Sequence, residues 1–397
     1  MTKKLQPKLR FRGFTDDWEQ RKLKDLHKQP LLIEPIRTAT YLSWSVPAFN
    51  DGVPEIARGS EIASVKQSVG FGDVLLCRIN PRINRVWVVE PVGNANFPMI
   101  ASTEWVVFAN EDGDSHFLSA LFSSDRFRNM LLSEVAGVTG SQKRFQVASV
   151  LQHEESFPSK LEQKRIGALF SKLDQLIAAE KRTLNLLKDK KTALLRQIFN
   201  QETRFKSYDR PWEQRKLGEI AEVVGGGTPD TNNPSYWNGS INWFTPAEIG
   251  SSTYVADSKR KITEKGLQHS SASLLPAYRT ILFTSRASIG LVAILTTDAC
   301  TNQGFQSLVA SDQVDVFFLY SLCDRIKRQA VRNAAGSTFL EVSGKQLAKI
   351  PVQVPSLAEQ RRIGELFQVI DALIAAKSQK IDLLELKKKS LLQQMFV

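Results

Sequence analysis

The sequence has few of the residues that build metal sites or disulfide frameworks. It contains three cysteines, Cys77, Cys300 and Cys323, none of them in a C-x-x-C pair, and only four histidines. Structural zinc sites need clustered Cys and His ligands, and secreted disulfide scaffolds need more cysteines than this. We therefore expect neither a disulfide framework nor a bound metal, and the low cysteine content fits a reducing compartment.

Long apolar runs are also missing. No stretch approaches the roughly 18 apolar residues of a transmembrane helix, and the first residues, MTKKLQPKLRFRGF, contain no apolar core of a signal peptide. These absences predict a cytoplasmic protein with no membrane partner.

The chain does have length and positive charge. Its 397 residues predict two or three domains, and 53 Lys and Arg against 41 Asp and Glu give a net charge of +12. Residues 1–203 contain 29 basic and 23 acidic residues, and residues 204–397 contain 24 and 18, so each part has a net charge of +6. This surplus favours a polyanionic partner such as DNA or RNA, although a basic protein without such a partner has the same composition.

Two repeated elements indicate a tandem duplication. The hexamer Trp-Glu-Gln-Arg-Lys-Leu occurs at 18–23 and again at 212–217, and Glu-Gln-(Lys/Arg)-Arg-Ile-Gly occurs at 162–167 and 359–364. A repeated hexamer that includes Trp is very improbable by chance, so the chain consists of two related halves.

Each closing element begins a long amphipathic helix. Apolar residues recur at intervals of three and four from Ile166 to Ile198 and again from Ile363 to Met395, which is the period of a coiled coil. Pro158 and Pro355 precede the helices, with Ser159 and Ser356 as N-caps. We predict an antiparallel coiled coil; the alternative is that each helix packs only on its own domain. The predicted coiled-coil core contains Leu173, Leu176, Leu184, Leu187, Ile370, Leu373, Ile381 and Leu384.

The inserts between the repeated elements, residues 24–150 and 221–350, are similar in length but not in sequence. Each contains short β-rich runs and one shorter helix; the runs are 86–89, 105–108, 280–283 and 291–294, and the helices are 117–132 and 316–330. The predicted fold class is α+β, with two mixed, mostly β domains, each followed by a long helix, related by a pseudo-twofold axis. The predicted boundaries are 1–155 and 204–354 for the mostly β domains, and 156–203 and 355–397 for the helical regions.

Motifs for catalysis are scarce. The phosphate-binding loop G-x-x-x-x-G-K-(S/T) is absent, and the histidines have no nucleophile motif near them. Asn233-Pro234-Ser235-Tyr236 and the Gly225–Gly227 run look like methyltransferase motifs, but a glycine-rich cofactor loop in an α/β domain is missing, so we interpret both as loops. We predict a non-catalytic binding protein with no cofactor of its own.

Donor-rich loops occur at matching places in the two inserts. Arg, Lys, Asn, Gln, Ser and Thr in such loops can reach DNA phosphates and base edges, although any single loop could be a solvated turn. The DNA-binding candidates of the first insert are Arg78, Asn80, Arg82, Asn84, Arg85, Ser141, Gln142, Lys143 and Arg144. Those of the second insert are Thr228, Ser285, Arg286, Asn302, Gln303, Ser337 and Thr338.

Taken together, the paired Trp-Glu openings, the inserts ending in Thr-Gly-Ser-Gln or Gly-Ser-Thr, and the Pro-x-x-x-Glu-Gln helices resemble the specificity subunit of type I restriction-modification systems. The resemblance covers essentially the whole chain. The first insert departs from this pattern in one place: it lacks the Arg-x-x-x-Gly turn found at Arg286–Gly290 of the second insert and has Arg78–Arg82 instead.

The resemblance implies a host-defence protein whose inserts are target recognition domains for a bipartite, asymmetric site in double-stranded DNA. It implies two modification subunits, which use S-adenosylmethionine to methylate adenine, and two restriction subunits, which use ATP and Mg. The repeated residues are candidates for framework anchors or subunit contacts: Trp18, Trp212, Glu162, Gln163, Glu359 and Gln360.

Two other functions stay open on the sequence. A scaffold protein could use the helices and inserts to assemble protein partners, and DNA retention with a steep salt dependence would separate it from a DNA-binding subunit. An enzyme fused to a recognition module would need a pocket for S-adenosylmethionine.

Overall fold

Contacts divide the chain into two units whose boundaries fall inside the two long helices. In the computed structural model, unit 1 comprises Met1–Arg182 with Gln379–Val397, and unit 2 comprises Thr183–Ser378. The structure describes residues 6–93, 96–109, 113–136, 143–286, 288–334 and 340–396. Each unit therefore contains one insert and a segment of both long helices. The four domain boundaries drawn from the sequence, which separate the inserts from the helices, stay a prediction.

The strands of unit 1 are short and form mixed sheets. One sheet has five strands in the order β2-β5-β8-β3-β4, another has the order β7-β6-β9, and two-stranded pairs join β1 to β12 and β10 to β11. The strands are β1 (Glu19–Lys22), β2 (Leu32–Ile33), β3 (Thr40–Trp44), β4 (Glu55–Arg58), β5 (Lys66–Ser68), β6 (Val74–Cys77), β7 (Val86–Val88), β8 (Met99–Ser102), β9 (Trp105–Phe108), β10 (Val135–Ala136), β11 (Arg144–Phe145) and β12 (Glu154–Phe157).

Unit 1 has three short helices and the start of a long one. They are α1 (Ser115–Ser123), α2 (Asp125–Ser133), α3 (Val147–Gln152) and α4 (Lys160–Phe199). The prediction of a single helix at 117–132 is therefore wrong, because the helix is interrupted at Ser124. This residue has an extended backbone, and its hydroxyl caps α2 by accepting from the Phe127 amide at 3.2 Å.

Unit 2 repeats this arrangement with a five-stranded sheet, a three-stranded sheet and one two-stranded pair. Its orders are β14-β21-β18-β19-β16, β17-β15-β20 and the pair β13-β22. The strands are β13 (Glu213–Lys216), β14 (Ala221–Gly225), β15 (Trp237–Phe244), β16 (Tyr254–Val255), β17 (Arg260–Ile262), β18 (Thr280–Phe283), β19 (Val292–Leu295), β20 (Ala299–Thr301), β21 (Gln306–Ala310) and β22 (Pro351–Val354). The helices are α5 (Leu217–Ile220), α6 (Glu264–Gln268), α7 (Val316–Asn333), α8 (Gly344–Ala348) and α9 (Leu357–Met395). The α+β class and the four predicted strand runs are confirmed.

The repeated hexamer forms the same element in both units. Its central residues are β1 and β13, which pair antiparallel with β12 and β22 at the end of each insert. The flanking Trp and Leu of each copy are buried. The framework thus joins the start of an insert to its end, immediately before the long helix.

The repeated Ile-Gly pair has a packing reason. A Cβ atom at Gly167 would lie 1.9 Å from Asp114 Oδ1, and one at Gly364 would lie 2.4 Å from Asp315 Oδ1. Asp114 and Asp315 cap the N-termini of α1 and α7, each accepting a backbone amide at 2.8 Å. Glycine is therefore needed where the capped helix approaches the long helix.

Buried and half-buried side chains follow a heptad seam along both long helices. On α4 they include Ile166, Phe170, Leu173, Ile177, Leu184, Leu187, Leu194 and Ile198, and on α9 Ile363, Phe367, Ile370, Ile374, Ile381, Leu384, Leu391 and Met395. Leu176 and Leu373 were predicted in the core but are 45% and 49% exposed. The seam instead contains the next residue of each helix, Ile177 and Ile374. These lie four residues after Leu173 and Ile370, which places them on the buried stripe.

Within each unit the two long helices run antiparallel. In unit 1, Lys380 Nζ donates to Glu180 at 2.6 Å, Lys181 pairs with Glu385 at 2.6 Å, and Lys388 donates to Asp174 at 2.5 Å. Descending numbers on α4 thus meet ascending numbers on α9. In unit 2, Lys191 Nζ donates to Asp371 at 2.5 Å. Each unit therefore has its own antiparallel helix pair, as the heptad pattern predicted.

Among the described residues, no helix combines the length and the apolar character that crossing a membrane requires.

Candidate nucleic-acid interface

Three segments of the first insert converge at the end of β6. The Arg78 amide donates to the Glu104 carbonyl at 2.9 Å, and the Phe145 amide donates to the Arg78 carbonyl at 3.2 Å. The Asn80 amide donates to the Lys143 carbonyl at 2.7 Å. The loops that begin at Arg78, Ser102 and Lys143 are therefore one surface, although more than 60 residues separate the first from the last.

Glu104 holds two of the predicted DNA-binding arginines. Its carboxylate accepts from Arg78 Nε at 3.0 Å and from Arg144 Nη2 at 2.8 Å. The hydrogen bond from Arg144 is the main reason that the pKa of Glu104 is lowered, and Arg78 acts in the same direction against desolvation. Sequence reasoning did not select Glu104 as a site residue, because only the fold shows that one loop acid meets arginines from two other loops.

Arg82 and Lys143 present cationic groups at a cleft of about 340 Å³. The cleft is lined by Asn80, Pro81, Arg82, Leu132, Val135 and Lys143. Asn80 has a positive φ of 48°, a conformation that Asn tolerates better than most residues, and this bends the loop at the cleft. Two cations at a concave surface suit a phosphate ligand.

Asn84 and Arg85 have structural contacts instead. The Asn84 side chain donates to the Phe122 carbonyl at 2.9 Å, and Arg85 Nη1 donates to the Ile79 carbonyl at 3.5 Å. Asn84 Oδ1 and Arg85 Nε are buried without a hydrogen-bond partner among the described residues. Both side chains are half-buried, with these atoms directed into unit 1, and their contact with DNA stays a prediction.

The second insert brings its loops together through the same backbone pattern. The Ser285 amide donates to the Gly304 carbonyl at 2.8 Å, and the Val342 amide donates to the Ser285 carbonyl at 3.1 Å. Ser285, Gly304 and Val342 thus occupy the places of Arg78, Glu104 and Phe145. The matched loops of the two inserts lie at equivalent positions in their units but contain different side chains.

Ser285 requires a correction, because its side chain is completely buried. It lies two residues after the end of β18. Its neighbour Thr284 is also buried, and the Thr284 hydroxyl accepts from the Leu291 amide at 2.8 Å. Arg286 is the first exposed residue of this turn and forms an ion pair with Glu341 at 2.9 Å. Glu341 was also missed by sequence reasoning, and it restrains Arg286 as Glu104 restrains Arg78.

Thr228, Asn302 and Gln303 form a polar cluster in unit 2. The Thr228 hydroxyl donates to Gln303 Oε1, and Asn302 Oδ1 accepts from the Gly304 amide at 2.9 Å. A Cβ at Gly226 would lie 2.0 Å from the Asn302 carbonyl oxygen, so the glycine run allows the two loops to touch. Gly226 and Gly227 lie in a loop, as predicted, whereas Gly225 is the last residue of β14.

Four candidates, Ser141, Gln142, Ser337 and Thr338, lie outside the described residues.

The predicted framework residues are buried inside their own units. Arg10 forms an ion pair with Glu162 at 2.7 Å, and Arg204 forms the equivalent pair with Glu359 at 2.7 Å. Gln163 and Gln360 donate to the Pro158 and Pro355 carbonyls, both at 2.9 Å, and Trp18 and Trp212 are 3% and 7% exposed. Burial suits the framework role predicted for these six residues, and their contact with another subunit stays a prediction.

Among the described residues, no group of His, Cys, Asp and Glu is arranged to bind a metal ion. The fold and the loops define a duplicated α+β protein with one cluster of polar loops in each unit.

The comparisons with known proteins agree with this class. Residues 209–386 match the family described as the type I restriction modification DNA specificity domain. The chain is 36% identical over 208 residues to the type I restriction enzyme MjaIX specificity subunit of Methanocaldococcus jannaschii, covering 50% of this chain and 48% of that one. It is 29% identical over 239 residues to the EcoR124I/EcoR124II specificity subunit of Escherichia coli, covering 59% and 57%.

These two matches span about half the length of each relative. The likeness to the S subunit of a type I restriction-modification system from M. genitalium extends over 99% of both chains, with a TM-score of 0.65 and 15% identity, and shows the fold alone. Residues 209–386 therefore contain a type I restriction modification DNA specificity domain, and the chain is similar to specificity subunits of type I restriction enzymes.

Proposed function

We propose that this chain recognises a bipartite, asymmetric target in double-stranded DNA, with one half-site for each unit. The observation that supports this most directly is the equivalent placement of different side chains. The backbone pattern around Arg78 recurs around Ser285, but the neighbouring loops present Arg82 and Lys143 in one unit and Thr228, Asn302 and Gln303 in the other. Two units with one scaffold and different donors suit two half-sites of different sequence.

The chemistry of these groups suits DNA. Arg can donate to guanine O6 and N7, Asn and Gln pair with adenine, and Lys and Thr hold phosphates. The ion pairs of Arg78, Arg144 and Arg286 with loop acids orient the guanidinium groups before DNA arrives, which lowers the entropy lost on binding. The net charge of +12 adds a sequence-independent attraction to phosphates.

The chain acts in this proposal as a non-catalytic cytoplasmic subunit. The names of its relatives describe them as specificity subunits of restriction enzymes. We infer two modification subunits, which would bind S-adenosylmethionine, and two restriction subunits, which would use ATP and Mg. The chain would position these partners on the DNA that it selects.

An exchange of inserts tests the proposal. Residues 24–150 are replaced by the corresponding insert of another family member, and the chain is expressed with its modification subunit. Mapping of methylated adenines in the host genome should show a change in one half-site only. The reciprocal exchange of residues 221–350 is the matched control and should change only the other half-site. A change in both halves from one exchange contradicts the assignment of one half-site to each unit.

A further inference from the structure

A cleft in unit 2 is lined by arginines from two helices. It has a volume of about 330 Å³ and lies between the last turn of α4 and the C-terminal half of α7. Arg196 comes from α4, and Arg325, Arg328 and Arg332 come from α7. We call these four residues the arginine cleft.

One of the four arginines has a structural role. Arg325 Nη1 donates to the carbonyl of Phe199 and to Asn200 Oδ1 at 3.3 Å, so it caps the C-terminal end of α4. Cations at a helix C-terminus are favourable because carbonyl groups there are unpaired and the helix dipole is negative. This role accounts for Arg325 and leaves the other three arginines unexplained.

The cleft has more positive charge than its own acids balance. Asp324 is the one acidic residue among those lining it, and it forms an ion pair with Arg328 at 3.0 Å. Four arginines and one aspartate give a local charge of +3. Arg328 and Arg332 are four residues apart on the same face of α7, where like charges destabilise a helix. An anionic ligand would relieve this repulsion.

The fold itself does not require the arginines, as unit 1 demonstrates. Asp114 and Asp315 cap α1 and α7 against equivalent glycines, which aligns Arg325 with Ser124, the residue at which α1 ends. The repeat of the long helices aligns Arg196 with Gln393, whose amide donates to Asp125 at 2.9 Å. The same framework therefore forms without arginine at these two positions.

This asymmetry favours DNA over a partner protein. A partner that binds the duplicated framework would meet the same surface in both units, whereas the described counterparts of Arg325 and Arg196 in unit 1 are Ser124 and Gln393. The helix that contains it also borders the loops proposed for DNA, because a Cβ at Gly290, in the Arg286 turn, would lie 2.5 Å from Lys327 Cγ. We propose that the arginine cleft binds backbone phosphates of DNA flanking the second half-site; this inference rests on the proposed function.

The experiment measures how the affinity for DNA depends on salt. Full-length chain with Arg328→Gln and Arg332→Gln is titrated into a labelled random-sequence duplex of about 40 bp, followed by fluorescence anisotropy at several NaCl concentrations. Random sequence is sufficient because phosphate contacts carry no sequence information. Arg325 is left unchanged because it caps α4. The control, Lys206→Gln with Arg361→Gln, removes the same charge from exposed positions of the same unit.

Loss of two phosphate contacts should reduce the slope of log K against log salt by about 1.8 in magnitude. From about 50 to about 200 mM salt the wild type should then lose roughly twelvefold more affinity than the double variant, and the control should behave as the wild type. A double variant with the wild-type slope overturns the inference. So does unchanged DNA binding with weaker association of a partner subunit, which would indicate an acidic protein segment. A wild type without salt-dependent binding would refute the proposed function itself.

Discussion

Replacing Phe396 with alanine should destabilise unit 1 and leave unit 2 intact. Phe396 follows the end of α9 and is 7% exposed. Its ring centroid lies 6.3 Å from that of Trp18, 5.8 Å from Phe117 and 6.0 Å from Phe170. The last turn of α9 therefore completes a core that the first insert and the start of α4 leave open.

The magnitude follows from this burial. Removing a buried Phe side chain costs about 3–5 kcal/mol, because apolar contact is lost and a cavity remains. Phe199 is the matched control: it is 4% exposed and packs 6.1 Å from Trp212 and 5.6 Å from Phe318 in unit 2. Phe199→Ala should destabilise unit 2 by a similar amount and spare unit 1.

Hydrogen–deuterium exchange read by mass spectrometry measures the two units separately. Since about 1.4 kcal/mol corresponds to a factor of ten, the slowest amides of α1 and β12 in the Phe396→Ala variant should exchange roughly 100-fold to 4000-fold faster. Amides of α7 and β22 should keep wild-type rates. Equal acceleration in both units, or in neither, would refute the reasoning that each helix end stabilises one unit.

Three further predictions concern single sites. In a denaturant titration, Gly364→Ala should lower the free energy of unfolding of unit 2 by at least about 2 kcal/mol, because a Cβ there would displace the Asp315 cap. The control Ala376→Ser, at an exposed position, should change it by less than about 0.5 kcal/mol. Burial raises the pKa of Cys300 to about 12 and that of Cys323 higher still, so a thiol reagent at pH 8 should label neither until the chain is unfolded, and rapid labelling of the native chain would contradict this. The pKa of Glu104 is lowered from its ordinary 4.5 in the folded chain, so the ionised carboxylate should stabilise the fold fully above pH 4.5 and less as the pH falls through the lower folded pKa. The melting temperature should therefore fall less on acidification in Glu104→Gln than in the wild type. An identical fall in both proteins would contradict the stabilising role of Glu104.

The duplicated framework could be predicted from sequence because each part of it occurs twice. The hexamer at Trp18 and Trp212 and the Ile-Gly pairs are contiguous in sequence, and they form local elements with buried ends. Heptad spacing likewise predicted the helix pair, since apolar residues at intervals of three and four leave one stripe to bury. The seam still differs by one position at Leu176 and Leu373, because leucine and its neighbour isoleucine satisfy the pattern equally and only the partner helix decides between them.

The loop surfaces could be predicted only in part. Polarity and matched position selected loops that lie together in each unit, but the orientation of each side chain depends on contacts from distant segments. Ser285 is polar and follows a strand, as a ligand-binding residue would, yet the chain segments at Gly304 and Val342 enclose it. Glu104 lacks any local signal of importance, and its role arises from Arg78 and Arg144, which reach it from two other loops.

The charged positions in the heptad seam explain why the helices of each unit pair antiparallel. Lys191 and Lys388 are the same position of the duplicated helix, and Asp174 and Asp371 are another. A parallel, in-register pair of duplicated helices would set each position against its own copy, so that Lys191 would face Lys388 in the seam. In the antiparallel arrangement each lysine meets an aspartate, at 2.5 Å in both units, so one ancestral pair supplies two contacts. Lys191 and Asp371 are 23% and 11% exposed, and an unpaired charge at such depth costs more than an exposed one. The duplicated sequence thus selects the direction of pairing through charge, whereas the apolar seam alone would accept either direction.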